Sequence, residues 1–450
     1  MNSKGALGPP HSSEAEKAVL GAVLRESQLL HTVIGKANLL PDYFYLDSHR
    51  RIFSLMLEQD GKGEPIDLLS MAERLQSGTS DREKVSSSYL IELIEASPLT
   101  QNIEYYAELI KNKHYLRRII DACNSTLKHA YASDGDINFF IEQVEKEFLA
   151  IASDQDRGKG LVSAKDALIP TLEELERRIT SDSFITGISS GFNDLDRTTG
   201  GWQKSDLIIL AARPGMGKSA LALNWLVNAV KTNKDINIAI FTLEMSKEQL
   251  LERILSSEGR IDSAKLRTGD LSDDDQDRLM HAAREIDRIG RQIVIDETPG
   301  ISLMELRSRC RRFQRENGLD MIIIDYLQLM TGSMLAQKQS REREISEISV
   351  GLKNMAKELA VPVIALAQLN RGPDARPDKK PRISDLRESG SMEQDADQIL
   401  FVYRDEYYNP NSEHVGKAEV LIAKNRHGEV GSAFLAWLPN YVSFHNLMKD

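Results

Sequence analysis

The chain has 450 residues, 41% hydrophobic and 28% charged, too long for one ordinary hydrophobic core, so two or more domains of a globular protein are expected. Its formal net charge of −11 argues against coating nucleic acid with the whole surface, and leaves room only for a local basic channel with steep salt dependence. No apolar run reaches membrane-spanning length, and the opening segment MNSKGALGPPHSSEAEK lacks the apolar stretch of a signal peptide, which predicts a cytoplasmic protein with no membrane partner.

Residues 1–12, rich in Gly, Pro and Ser, read as a disordered tail. Ser13 with Glu16 predicts a capping box, and Ala15, Ala18, Val19, Ala22 and Val23 give one apolar helical face. The pattern stays helical to about residue 112, with breaks near Pro41, Gly61 to Pro65, Gly78 to Ser80 and Pro98. Two longer amphipathic segments follow, about 114–132 and 137–152, and the short polar joint Ser133 to Asp136 predicts an antiparallel helical hairpin. The expected first domain is therefore all-helical and spans 13–152.

Residues 153–185 read as a linker carrying one amphipathic helix, with Leu168, Leu172, Leu175 and Ile179 on a single face. Such a stripe must bury itself on its own domain or on a neighbouring subunit, and pattern alone does not choose. Pro170 is tolerable in the first turn and would otherwise kink the helix. Cys123 and Cys310 lie far apart without metal-ligand spacing and read as reduced thiols.

From 186 to 450, β-rich runs alternate with helices: Leu207 to Ala211, Ile238 to Leu243, Ile293 to Asp296, Met321 to Asp325, Val363 to Ala367, Ile399 to Tyr403, Ala418 to Ala423, Ala433 to Leu438 and Tyr441 to His445. This alternation predicts an α/β domain with a largely parallel sheet, helices on both faces, and an antiparallel closing pair. Ser246 with Gln249 and Ser302 with Glu305 predict capping boxes, and Gly318 a helix stop.

The stretch ARPGMGKS, Ala212 to Ser219, lies between the first of these strands and the helical pattern Ala220 to Val230. Strand, loop and helix in that order make a phosphate cradle from backbone N–H groups and a helix N-terminus. Arg213, Pro214, Gly215, Met216, Gly217, Lys218, Ser219 and Ala220 are the nucleotide-binding candidates, with Lys218 on the β/γ oxygens and the Ser219 hydroxyl on Mg²⁺. The strict pattern has Gly where Ala212 stands, but Gly215 and Gly217 sit nearest the phosphates and are kept.

Asp325 ends the buried run Met321 to Ile324, where a Mg²⁺ ligand is needed in such a sheet, although strand-end aspartates are also common turn formers. Glu244 follows Ile240 to Leu243 and either activates water or sits well at a helix N-terminus. Gln368 after Val363 to Ala367 either senses a γ-phosphate or satisfies loop backbone. Within DLRESGSMEQDADQ, Arg387 supplies charge, Glu388 accepts hydrogen bonds and Gly390 admits close backbone approach, unless the segment is only a solvated loop. In AKNRHG, Lys424 and Arg426 occupy alternate extended positions, so both cations can reach one anion, a neighbour's if their own phosphate loop is out of range.

Taken in order, SSEAEKAVLGAVL, TGISSGFNDLDRTTGGWQKSDLIILAARPGMGKS, FTLEM, IIIDYLQLM, ALAQLNR, DLRESGSMEQDAD and AKNRHG resemble the DnaB family of bacterial replicative DNA helicases, from about Ser13 to the C-terminus. The resemblance implies a helical N-terminal collar domain, a linker helix docking on the adjacent subunit, and a RecA-like motor domain. It further implies an ATP-hydrolysing homohexamer that encircles single-stranded DNA, moves 5′ to 3′, unwinds forked DNA, and works with primase and a helicase loader. By matching motif, Lys218 and Ser219 hold ATP and Mg²⁺, Glu244 activates water, Asp325 holds Mg²⁺ through water and Gln368 senses the γ-phosphate. Arg426 matches the trans-acting arginine finger, with Lys424 beside it, and Arg387, Glu388 and Gly390 match the loop on the DNA backbone. Met392 replaces a frequent Ile, and Asn425 and His427 depart from the usual form of their motif.

Two other functions share the motor. A recombination or branch-migration ATPase would carry a different accessory domain, so the helical N-terminal domain and linker stripe count against it. A nucleotide-gated DNA clamp without productive turnover would not need Glu244, Asp325 and Gln368 together.

Overall fold

The computed structural model describes residues 8–76, 85–97, 102–132, part of 137–151, 164–180, 185–233, 235–386 and 390–447. The chain divides into two compact units, Met1–Glu174 and Leu175–Asp450.

The first unit is helical. Its elements are α1 (Ser13–Arg25), α2 (Leu29–Gly35), α3 (Asp47–Lys62), α4 (Leu68–Gln76), α5 (Ser87–Ala96) and α6 (Ile103–Ala132). The i, i+3, i+4 apolar spacing of α1 places Val19, Leu20 and Val23 in a core with Phe44, Ile52, Phe53, Met56, Leu90 and Leu93. Each of these side chains, fully buried, stabilises the unit by about 1.5 to 3 kcal/mol. The cap of α1 differs from the sequence expectation. Ser12, not Ser13, is the N-cap, accepting from Ala15 N–H at 3.3 Å. Glu16 is drawn inward instead, where it accepts from Tyr45 N–H at 2.7 Å and bonds His49 Nδ1 at 2.7 Å. A buried carboxylate with such partners is satisfied there more fully than at an exposed helix end.

α6 joins the end of the helical pattern read to about 112 and the segment read as about 114–132 in one continuous helix. Ile151 and Phe148 pack against its Tyr115 and Ala122, while Ser133 to Asp136, the joint of the expected hairpin, lie outside the described residues. The linker helix, α7, spans Ala164–Thr180. Pro170 lies past its first turn, and Leu168, Leu172, Leu175 and Ile179 are all exposed.

The second unit is built on one sheet, with β1 (Leu207–Ala212), β2 (Ile238–Thr242), β3 (Ile293–Asp296), β4 (Met321–Asp325), β5 (Val363–Gln368), β6 (Gln398–Tyr403), β7 (Lys417–Asn425), β8 (Gly431–Leu438) and β9 (Ser443–Asn446). Their order is β3-β2-β4-β5-β1-β6-β7-β8-β9. Pairing is parallel from β3 through β6 and antiparallel from β6 to β9. Every run expected from sequence is a strand. The last starts at Ser443, since Pro439–Tyr441 form a 3-10 turn whose φ is preset by proline.

Alternation along the strands supplies both faces. Ile208, Leu210 and Ala212 of β1 join one core with Leu221, Trp225 and Leu226 of α8 (Lys218–Thr232) and Leu250 and Ile254 of α9 (Lys247–Gly259). Leu207, Ile209 and Ala211 face the other, with Leu306 and Cys310 of α10 (Leu303–Asn317) and Ile345, Ile348 and Leu352 of α11 (Arg341–Leu359). The Ser246–Gln249 box is complete, Ser302 accepts from Glu305 N–H, and Gly318 ends α10. Because β1 is flanked by β5 and β6, the direction of winding changes at its end. Ligands of open α/β sheets collect outside the carboxyl ends of strands at such a point.

Candidate nucleotide and catalytic site

The loop leaving β1 reaches α8 through Gly215 at φ 81° and Gly217 at φ 95°. A side chain at Gly217 would also meet the Phe444 ring at 2.8 Å, so the left-handed turn and the tight backing both require glycine. The loop opens onto a cleft of about 670 Å³ lined by Gly215, Gly217, Lys218, Ser219, Glu244, Gln249, Arg253, Gln368, Trp437 and Val442. Its volume suits a nucleotide-sized ligand. Arg404 braces the loop from behind, donating to Gly215 O at 3.2 Å with its guanidinium over the Trp437 ring. No motif in the sequence pointed to Arg404 or Trp437.

Lys218 lies 3.6 Å from Asp325 Oδ1 and over the Tyr326 ring. Burial pushes its pKa down, against the pull of Asp325 and Glu244. Asp325 Oδ1 is buried without a hydrogen-bond partner. This carboxylate oxygen beside Lys218 and the hydroxyl of Ser219, which lines the cleft with Lys218, are the hard oxygen donors that Mg²⁺ prefers, so the donor set fits that ion. Arg213, by contrast, is committed elsewhere, donating to Asp374 at 2.6 Å and to Leu369 O at 2.9 Å.

The expected Lys218, Ser219, Asp325, Glu244 and Gln368 thus converge at the carboxyl edge of the sheet. Two family models match the chain, the "DnaB-like helicase C terminal domain" over residues 187–446 and the "DnaB-like helicase N terminal domain" over residues 8–112. The replicative DNA helicase DnaB of Geobacillus stearothermophilus is 44% identical over 98% of this chain and 96% of its own. The replicative DNA helicase DnaC of Bacillus subtilis is 43% identical with the same coverage. The solved structure of a DnaB-like replicative helicase, described with its primase interactions, is 34% identical and covers 97% of this chain and 100% of its own, with TM-score 0.71. The chain belongs to the DnaB family of replicative DNA helicases. Its activity is therefore ATP-dependent DNA unwinding at the replication fork, and a hexameric ring moving 5′ to 3′ is the property of that family.

The remaining residues of the DnaB motifs lie elsewhere. Asn425 pairs with Gln398 at the start of β6, level with Ile208 of β1, so Arg426 sits at the amino edge of the sheet. The phosphate loop leaves the opposite edge. Five residue steps of β1 separate the two, roughly 17 Å at ~3.3 Å per residue, beyond the reach of one side chain. Arg426 Nη1 donates to Asp397 Oδ1 at 3.2 Å, and Asp397 also accepts from Lys353 and from Leu207 N–H. Lys424 donates to the carbonyls of Glu393 and Ala396, each at 2.6 Å. A register shift between β6 and β7 at Ile399/Leu400 precedes this segment, and the two cations engage neighbouring but different groups.

His427 Nε2 lies 3.0 Å from Asp206 Oδ1. Asp206, Asp397 and His427 could bring ligand atoms together, but Lys353 and Arg426 already supply the positive charge there. Arg387 and Glu388 lie outside the described residues, and Gly390 begins the short helix Gly390–Asp395. Among the described residues, no helix is long and apolar enough to cross a membrane.

Proposed function

We propose that this helicase hydrolyses ATP with Mg²⁺ at interfaces between identical subunits. The cleft of one chain holds the triphosphate through Lys218, the loop N–H groups of Gly215 to Ala220 and Ser219, with Asp325 toward the ion. Mg²⁺ supplies charge neutralisation on the β/γ oxygens when bound. Glu244 orients and deprotonates the attacking water, and Gln368 contacts the γ-phosphate. Arg426 of the adjacent chain enters as the arginine finger, with Lys424 beside it. The helical domain 13–152 forms the collar, and the exposed stripe of the 153–185 linker docks on that neighbour. Single-stranded DNA threads the ring along Arg387, Glu388 and Gly390, while primase and a loader bind the assembled cytoplasmic protein.

One observation carries this reading, the separation of the Lys218 cleft from Arg426 across the full length of β1. A chain so built holds half of a site at each edge. A forked-DNA unwinding assay with tails of either polarity tests it, and unwinding only of forks with a 5′ tail is expected. Unwinding from a 3′ tail, or turnover by an isolated monomer equal to that of the ring, would refute it.

A further inference from the structure

Strand β5 loses its neighbour β4 before it ends. Their register runs only from Ile322↔Val363 to Ile324↔Ala365, whereas on the other side β1 stays paired as far as Ala212↔Gln368. Leu369 N–H is taken by Ala212 O at 3.1 Å. The backbone N–H and carbonyl of Gln368 face the vacated side, where an unpaired end would be free to move. Gln328 fills that place. Its Nε2 donates to Gln368 O at 3.2 Å, and its Oε1 accepts from Gln368 N–H at 3.3 Å.

A side-chain amide has one donor and one acceptor arranged as in a peptide, so it can extend the ladder by a surrogate rung. No apolar or carboxylate side chain can make both bonds. Gln328 is itself held, since it lies in the 3-10 turn Leu327–Leu329 just past Asp325, with its own carbonyl bonded by Arg341. Gln368 borders both the nucleotide cleft and a second cavity of about 320 Å³ that includes Arg213, Tyr326, Asn370 and Met392. A shift of the strand end would carry its side chain from one to the other.

We propose that Gln328 is a positioning residue that fixes the end of β5 so that Gln368 points into the nucleotide cleft. This rests on reading Gln368 as the γ-phosphate sensor. Because Gln328 acts on the sensor and not on the phosphate loop, its loss weakens discrimination of triphosphate from diphosphate while leaving the diphosphate in place.

The test uses the assembled full-length protein with Gln328→Met, Gln328→Glu, Gln368→Ala and the double variant Gln328→Met/Gln368→Ala. Affinities for ADP and a slowly hydrolysed ATP analogue, ATPase kcat and KM, and melting temperature are read. Each Gln328 variant should keep ADP affinity within about 2-fold and lose about 10-fold in triphosphate preference and kcat, the scale of two neutral hydrogen bonds. The double variant should be no worse than Gln368→Ala alone, since both changes act through one group. A uniform loss of ADP affinity and melting temperature would mean a merely structural role and overturn the proposal. So would a Gln328→Met or Gln328→Glu protein of wild-type preference beside a defective Gln368→Ala. Wild-type preference in Gln368→Ala would instead overturn the sensor reading, and the proposal with it.

Discussion

Arg426→Ala is the perturbation that most directly tests a site divided between subunits. Arg426 is 66% exposed on its side chain, and its partner Asp397 keeps Lys353 and Leu207 N–H when it is removed. With Arg426 exposed and the buried Asp397 still paired, the loss of this arginine costs ~1 kcal/mol, so the chain should still fold. Hydrolysis should nevertheless fall by on the order of 10³, the contribution of an arginine finger. The decisive assay mixes this variant with Lys218→Ala, which lacks a working cleft but keeps its finger. Only an interface pairing an Arg426→Ala cleft with a Lys218→Ala finger is restored. With random mixing at equal amounts, such interfaces are one half times one half of the total, so ATPase should climb to roughly a quarter of wild type if interfaces act independently. Cooperative firing around the ring would lower that figure while leaving a maximum near equal mixing. No rise at any ratio, after exchange of subunits has been verified, would refute action in trans.

Glu244→Gln should bind ATP within a few fold of wild type while turnover drops by about 10² to 10⁴, because only water activation is removed; turnover near wild type by phosphate release would reject the assignment. Arg387→Ala should weaken single-stranded DNA binding alike for all sequences and make the slope of log affinity against log salt shallower by roughly 0.7 for every phosphate that a subunit no longer neutralises. An unchanged slope on an assembled ring would send the DNA path elsewhere. His114, half-buried and stacked on Tyr43, has its pKa lowered to about 4 by burial, then by Arg117 and Arg118. The folded chain then refuses a proton that the unfolded chain takes up near 6.5, so stability is lost as pH falls from 6.5 toward 4 and is unaffected above that range. At pH 5 the loss should be about 1 kcal/mol after allowance for solvent screening, and melting curves of His114→Gln should lack it; equal pH dependence in both proteins would refute this.

Much of the motor was legible because it depends on local rules. Leu207 to Ala211 is apolar on both faces, as a central parallel strand must be, and glycines at 215 and 217 meet a turn that other residues resist. Strand order was not legible, since no local signal says that β1 lies between β5 and β6. Asp397 and Arg404 therefore escape a sequence reading, and Gln328 enters it only as part of the motif that follows Asp325, each acting on groups far away in sequence. The cap of α1 failed for a related reason: Ser12 and Ser13 are equal candidates locally, and it is Tyr45 and His49 that draw Glu16 inward. Alternation brought Lys424 and Arg426 to one edge of the sheet, but it could not foresee that Lys424 would bond the carbonyls of Glu393 and Ala396 while Arg426 bonds Asp397.

The proposed division of the site between ring subunits would also reconcile an acidic chain with a DNA partner. A net charge of −11 repels nucleic acid at long range, so approach from bulk solution gains little from steering. A ring removes the need for it, because a strand once enclosed is held by topology and meets repeated copies of the same few phosphate-binding groups at high effective concentration. Weak individual interactions can then be broken and remade one subunit at a time. On the proposed reading, with Lys218 at one sheet edge and Arg426 at the other, completing a site on one subunit would require movement against its neighbour, and hydrolysis would release that constraint. Order around the ring would then follow from the placement of Lys218 beyond the carboxyl end of β1 and of Arg426 level with its amino end.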